Sequence, residues 1–134
     1  MALTAIDSSV LIPAVAPWHV EHARADQALG SVTDLRMIGH VMAETYSWLT
    51  RNRPRTSPAV AARLLRSLPG PPLMLSPTGQ LGLLELVGAR GIMGGAVYDA
   101  LIAATALEAD ARLLSRDQRA SRTYEAVGVR FELI

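Results

Sequence analysis

Four acidic residues lie at the edges of apolar segments, where a folded chain would normally have an uncharged residue. They are Asp7, Glu44, Asp99 and Asp117. Two carboxylates about 4 Å apart repel each other by about 4 kcal/mol at an effective dielectric constant of about 20. If the fold brings the four together, they need a counter-charge, and a divalent cation would supply it.

The donor atoms of this cluster indicate which cation it would hold. Carboxylate oxygens are hard ligands and the chain has no cysteine, so the sequence favours Mg²⁺, with Mn²⁺ as a substitute, over zinc. Two such ions about 4 Å apart can activate a water and stabilise the leaving oxygen of a phosphodiester.

Strand and helix patterns alternate along the chain, which predicts a single α/β domain over residues 1–134 with a central, mostly parallel sheet. Asp7 and Asp117 each follow a predicted strand, and ligands of open α/β sheets gather outside the carboxyl ends of strands. The predicted strands lie near 2–6, 35–39, 72–75, 111–114 and 129–133. The predicted helices cover 8–14, 17–29, 40–51, 57–67, 76–89 and 97–109, and another runs from Asp117 toward residue 126.

Helices are predicted to carry the other two acids to the same edge. Asp99 falls in the first turn of the helix 97–109, where the helix dipole favours a carboxylate. At about 100° per residue, Val41 and Trp48 lie about 60° and about 40° from Glu44 on the helix 40–51. Glu44 is therefore expected at the margin of the buried stripe, within reach of a pocket.

Each acid also has an ordinary structural explanation. Asp7 and Asp117 could cap the helices that follow them, and Asp99 could be a favourable charge in a first turn. Glu44 could be a solvated or salt-bridged glutamate. The joint pattern of four acids from distant parts of the chain, all predicted at one end of one sheet, favours a shared site.

The composition excludes some classes of enzyme. All 13 basic residues are arginine, so a P-loop ATPase or a Schiff-base enzyme, which needs lysine, is ruled out. Arginine suits contact with nucleic acid, although a genome rich in arginine codons gives the same composition. No signal peptide or membrane-length apolar run is present, so we expect a soluble, cytoplasmic protein without membrane contact.

Several other residues have two interpretations. Arginines 112, 116, 119 and 122 surround the last acid in sequence, and arginines 51, 53 and 55 follow the helix of Glu44; they could hold an RNA backbone or be solvated. His40 and Glu44 form an H-x-x-x-E pair, but that helix has no second histidine for a transition-metal site. Gly91, Gly94 and Gly95 predict a tight turn and not a dinucleotide motif.

The segments around the four acids resemble the PIN domain, and more narrowly the VapC-type ribonuclease toxins of bacterial toxin–antitoxin pairs. The matching segments are IDSSVL at 6–11, HVMAETY at 40–46, VYDALIAATA at 97–106 and LSRD at 114–117. Each segment alone is weakly specific, but together they cover the chain in the right order. Ser115 matches a serine or threonine common in the family, whereas Arg119 replaces a further acid that many members carry.

The resemblance implies a PIN-like three-layer fold and a Mg²⁺-dependent endoribonuclease. Asp7, Asp99 and Asp117 would hold the principal ion, and Glu44 would complete its ligands or orient the water. A metal-activated water would then attack an RNA phosphodiester and leave 5′-phosphate and 3′-hydroxyl ends. The family also implies a homodimer and a cognate VapB-type antitoxin whose C-terminal segment crosses the active-site groove.

Two alternatives remain open from the sequence. In one, the protein is a catalytically silent, PIN-like binding or regulatory protein whose acidic pocket is neutralised by Arg116 and Arg119. In the other, it is a phosphoryl-transfer domain with aspartates at its strand ends. The second is disfavoured because it needs a lysine, and because one form of it needs an acid where this chain has Ser9.

Overall fold

The protein is built around a four-stranded, all-parallel sheet with the strand order β2-β1-β3-β4. A computed structural model describes residues 3–134. In register, Ile6 at the end of β1 pairs with Leu114 near the end of β3. The strands are β1 (Thr4–Ile6), β2 (Leu35–Arg36), β3 (Arg112–Ser115) and β4 (Phe131–Leu133).

Helices connect and cover the strands. The helices are α1 (Ser8–Val15), α2 (His22–Leu29), α3 (Gly39–Arg51), α4 (Pro58–Arg66), α5 (Pro77–Arg90), α6 (Ala96–Glu108) and α7 (Ser121–Val127). This arrangement confirms the predicted α/β fold with a parallel sheet between helices. Parallel strands require such crossovers, because the end of one strand and the start of the next lie at opposite ends of the sheet.

Local sequence signals explain where the helices begin and end. The side chains of Asp7, Ser57 and Ser76 each cap a helix by accepting a hydrogen bond from a backbone amide in its first turn. Gly91 ends α5 in the left-handed conformation at φ 66°, which glycine adopts without steric cost. The predicted tight turn at the glycines is therefore present.

The core lies between the sheet and the helices that pack on it. Ile6, Leu113, Val41 and Ile102 are almost completely buried there, and Tyr124 is the largest fully buried side chain. Three alanines of α6, at positions 100, 103 and 106, are buried as well, which allows this helix to pack closely against α5 and α7. The strand ends that precede Asp7 and Asp117 are thus anchored in a rigid layer.

Several predicted elements are wrong in extent, and the strand predicted near 35–39 covers only Leu35–Arg36. Residues 72–75 do not form a strand; only Leu73 makes a bridge, with Ile38, because the prolines at 71 and 72 have no amide hydrogen to donate to a ladder. The helix predicted over 17–29 begins at His22. Before it, the His19 imidazole accepts a hydrogen bond from the amide of Glu21 and holds residues 17–21 in turns.

Within residues 3–134, no helix combines the length and the apolar character needed to cross a bilayer.

Candidate active site

The strand order reverses between β1 and β3, and two of the four acids lie at this point. β1 leads directly into Asp7, and β3 ends two residues before Asp117. The amide of Asp7 donates to the carbonyl oxygen of Leu114 at 3.2 Å, so the two strand ends are joined by a hydrogen bond. Asp7 and Asp117 therefore flank the crevice where open α/β sheets bind ligands.

Asp7 is buried and held through both of its carboxylate oxygens. Oδ1 accepts hydrogen bonds from the amide of Ser9, at 3.0 Å, and from the Ser9 hydroxyl. Oδ2 accepts one from the hydroxyl of Tyr124 at 2.6 Å. Asp7 thus caps α1, as its ordinary explanation predicts, and has a fixed orientation at the strand end.

Ser9 links the two strand ends through its side chain. Its Oγ accepts a hydrogen bond from the amide of Arg116 at 2.7 Å, and its carbonyl oxygen accepts one from Nε of Arg116 at 3.0 Å. The buried Oγ of Ser115 lies 3.4 Å from Oγ of Ser9 and accepts from the amide of Asp117 at 3.0 Å. The two serines therefore position the backbone on either side of the crevice.

The sequence predicts Asp117 as a possible cap of the helix that runs toward residue 126. In the structure it caps the turn before α7 and not α7 itself. Its Oδ1 accepts from the amides of Arg119, at 3.0 Å, and Ala120, at 3.3 Å, whereas the N-cap of α7 is Ala120. These amides fix the carboxylate beside the end of β3.

Asp99, in the first turn of α6, experiences the charges of all three other acids. The pKa of Asp99 is raised to about 6, first by burial and then by the neighbouring carboxylates of Asp117, Asp7 and Glu44, in that order of importance. His40 has the opposite effect. The structure therefore brings the four predicted acids into one electrostatic neighbourhood, although they come from four different segments.

Glu44 is half-buried on α3, at the margin of the buried stripe where the helical angle predicts it. Burial raises the pKa of Glu44, the charge of Asp7 adds to this effect, and His40 opposes it. Glu44 Oε1 lies 3.8 Å from Nε2 of His40, and both atoms are buried without a hydrogen-bond partner in the described part of the chain. The His40 ring stacks on Tyr98, with a centroid distance of 5.3 Å.

The donor set fits a hard divalent cation in its chemistry. It offers carboxylate oxygens, one of them an unpartnered buried Oε1, and the ionised form of Asp99 is destabilised by like charges. Among residues 3–134, however, no three His, Asp or Glu side chains are placed closely enough to hold one ion. Binding would therefore require side-chain rotations that draw the carboxylates inward.

Arginine does not neutralise these acids. The ion pairs that arginines form between residues 3 and 134 join Arg24 to Glu21, Arg112 to Glu132 and Arg130 to Asp110. Arg116, which the silent-pocket alternative invokes, donates instead to the carbonyl of Ser9. The cluster keeps its negative charge, as a cation site requires.

Tyr124 and Ser9 are site residues that the sequence reasoning missed. Tyr124 lies 117 positions from Asp7 and looks like an ordinary buried aromatic on α7, so no local signal connects the two. Ser9 had a detectable signal, since a serine two residues after an aspartate at a helix start often shares in capping.

The fold and the site together define an α/β protein with an acidic crevice at the reversal of its strand order. The sequence matches the model of the family described as PIN domain over residues 4–126. The chain therefore belongs to the PIN domain family.

Curated relatives match nearly the whole chain. It is 44% identical over 127 residues to Ribonuclease VapC27 of Mycobacterium tuberculosis (strain ATCC 25618 / H37Rv), covering 93% of this chain and 92% of the relative. It is 41% identical over 135 residues to Ribonuclease VapC40 of Mycobacterium tuberculosis (strain CDC 1551 / Oshkosh), covering 98% and 99%. These matches confirm the resemblance to VapC proteins.

Two solved structures share the fold. VapBC2 from Rickettsia felis, bound to a DNA fragment from its promoter, superposes with a TM-score of 0.69 at 15% identity and 98% coverage of both chains. FitAB bound to an IR36 DNA fragment gives a TM-score of 0.73 at 17% identity, with 98% of this chain and 94% of that chain covered.

Proposed function

We propose that this protein is a Mg²⁺-dependent endoribonuclease and the toxin of a toxin–antitoxin pair. The observation that carries the proposal is the convergence of Asp7, Glu44, Asp99 and Asp117: burial and the charges of the other three acids raise the pKa of Asp99 to about 6. The relatives at 44% and 41% identity are named ribonucleases and supply the substrate class.

The four acids have different roles in this proposal. Asp7 is already oriented by Ser9 and Tyr124, and Asp117 by the amides after it, so these two form the fixed side of the site. Asp99 approaches from the first turn of α6. Glu44 has a free Oε1, which suits it either to complete the ligand set or to accept a proton from the attacking water.

Nucleases of the PIN family depend in general on divalent metal ions, and we propose Mg²⁺ as the ion, with Mn²⁺ able to replace it. When bound, the ion supplies Lewis acidity toward the phosphodiester and its attacking water. The protein supplies only oxygen ligands from its acids, which suits Mg²⁺ better than a softer metal.

The partners follow from the same assignment. The substrate is RNA, and the regulatory partner is a VapB-type antitoxin, since the solved neighbours are a VapBC and a FitAB assembly. We further propose that the chain folds as one domain over residues 1–134, forms a homodimer and acts in the cytoplasm, where its RNA substrate is found.

The test is cleavage of total RNA by the purified protein. We expect cutting with Mg²⁺, none with EDTA, and a loss of at least about 100-fold in rate for Asp7→Asn and Asp99→Asn. Asp26→Asn, an exposed amide substitution on α2, is the matched control and should remain active. Full activity of Asp99→Asn would exclude the proposed site, and absence of cutting by the folded wild type would favour the silent binding protein.

A further inference from the structure

Two neighbouring cavities lie beside α7, and both are lined in part by arginine. The first, of about 360 Å³, is lined in part by Arg90, Ala96 and Arg122. The second, of about 590 Å³, is lined in part by Arg119 and again by Arg122. The two cavities share Arg122 and Thr123 in their linings, and we call the surface that they span the arginine cleft (Arg90, Arg119, Arg122).

The charge of the arginine cleft is uncompensated. Among residues 3–134, none of its three guanidinium groups has a carboxylate within 4.0 Å or donates a hydrogen bond to another residue. No aspartate or glutamate lines either cavity. Other arginines are used structurally, as Arg112 is with Glu132 and Arg130 with Asp110. The cleft therefore presents three guanidinium groups without ion-pair partners to a ligand.

The arginine cleft adjoins the acidic site through two helices. Ala96, which lines it, lies one turn before Asp99 on α6. Arg119 donates its amide to Asp117 at 3.0 Å, and α7 continues from there to Arg122. Because α6 and α7 pack against each other, the cleft and two of the acids are held by neighbouring segments of the fold.

A site of four carboxylates repels a polyanionic substrate, so cationic contacts nearby must hold the RNA in place. Arginine binds phosphate oxygens in a bidentate manner and gives affinity without sequence preference. We propose that the arginine cleft binds the phosphate backbone of single-stranded RNA next to the bond that is cut, with Arg90 and Arg122 each contacting a phosphate. This proposal rests on the proposed ribonuclease function.

The test measures RNA binding separately from RNA cleavage. Fluorescence anisotropy with a fluorescein-labelled oligouridylate, in EDTA and in the Asp99→Asn background, gives the binding constant as a function of KCl concentration. The pair Arg90→Gln and Arg122→Gln should reduce the slope of log K against log[salt] by about 1.4, because each single-strand phosphate contact contributes about 0.7. The matched control is Arg63→Gln with Arg66→Gln on α4, which removes the same charge outside the cleft.

The outcomes separate this proposal from the function it rests on. An unchanged slope, or an equal reduction in the control pair, would overturn the cleft assignment while leaving Mg²⁺-dependent cleavage intact. Loss of antitoxin binding with unchanged RNA binding would overturn it too, since the cleft would then serve a protein. In the otherwise wild-type chain, we expect the Arg90 and Arg122 variants to raise KM for RNA with kcat unchanged.

Discussion

The substitution Tyr124→Phe removes one hydroxyl group and tests whether Tyr124 holds the carboxylate of Asp7 in place. The Tyr124 ring is fully buried and packs edge-on against Phe131, so the substitution keeps its packing. Its hydroxyl donates the hydrogen bond that Oδ2 of Asp7 receives in the described structure. Without it, this buried oxygen loses its protein partner, and the carboxylate is held only through the hydrogen bonds of Ser9 to Oδ1.

The size of the effect follows from the type of hydrogen bond. A hydrogen bond to a charged group contributes about 1.5–3 kcal/mol to the free energy of unfolding. For a chain of this length, each kcal/mol corresponds to about 3–4 °C in Tm, so Tyr124→Phe should lower the Tm in EDTA by about 5–12 °C. Loss of a group that orients a metal ligand typically weakens metal binding about 10–100-fold, and we expect this for Mn²⁺.

Two measurements on one sample decide the matter: thermal unfolding in EDTA and calorimetric titration with Mn²⁺. Tyr46→Phe on α3 is the matched control, because its ring is partly exposed and its hydroxyl makes no hydrogen bond within residues 3–134. If Tyr124→Phe behaves like this control in both measurements, the hydrogen bond does not position Asp7. If the Tm falls while Mn²⁺ affinity stays unchanged, Tyr124 supports only the fold.

Three further perturbations follow from the same geometry. The pKa of Asp99 is about 6 in the folded state and 3.8 for a free aspartate, so the folded state binds more protons between these values and stability falls as pH rises through them. In EDTA near neutral pH, Asp99→Asn should therefore raise the free energy of unfolding by about 1 kcal/mol, after allowing for screening of this half-exposed group, and the Tm by about 3–4 °C. The gain should vanish below about pH 4, and a gain independent of pH would contradict the charge coupling. Ser9→Ala leaves the amide of Arg116 without its partner and should cost about 1–3 kcal/mol in urea unfolding, whereas Ser9→Thr should restore most of it; equal losses in both would contradict the hydroxyl's role. Glu44→Gln should lower kcat for RNA cleavage with little change in the Tm, while Glu85→Gln on α5 should change neither, and an active Glu44→Gln would remove Glu44 from the site.

Much of the fold was predictable because its signals are local. Serine followed by proline marks the starts of α4 and α5, and the apolar runs before Asp7 and Asp117 mark β1 and β3. The failure at residues 72–75 also has a local cause, since two prolines remove the amides that a strand needs. The boundary of α2 depended instead on a side-chain contact of His19, which composition does not reveal.

The candidate site was predictable in its acids but not in what holds them. Asp7, Asp99, Asp117 and the angular position of Glu44 follow from strand ends and helical periodicity, and their mutual charge effects agree with that prediction. The contact between Tyr124 and Asp7 joins residues 117 positions apart, so only the folded chain reveals it. The arginine cleft likewise depends on tertiary packing, because α5 and α7 both pack against α6.

Mn²⁺ binding by the wild type and by single amide variants of the four acids tests the central claim most directly. We expect saturable Mn²⁺ binding by the wild type. The affinity should fall at least about tenfold in each of four variants, Asp7→Asn, Glu44→Gln, Asp99→Asn and Asp117→Asn, and should be unchanged in Asp26→Asn. Binding of equal strength in the wild type and all four variants would show that these carboxylates do not form the metal site.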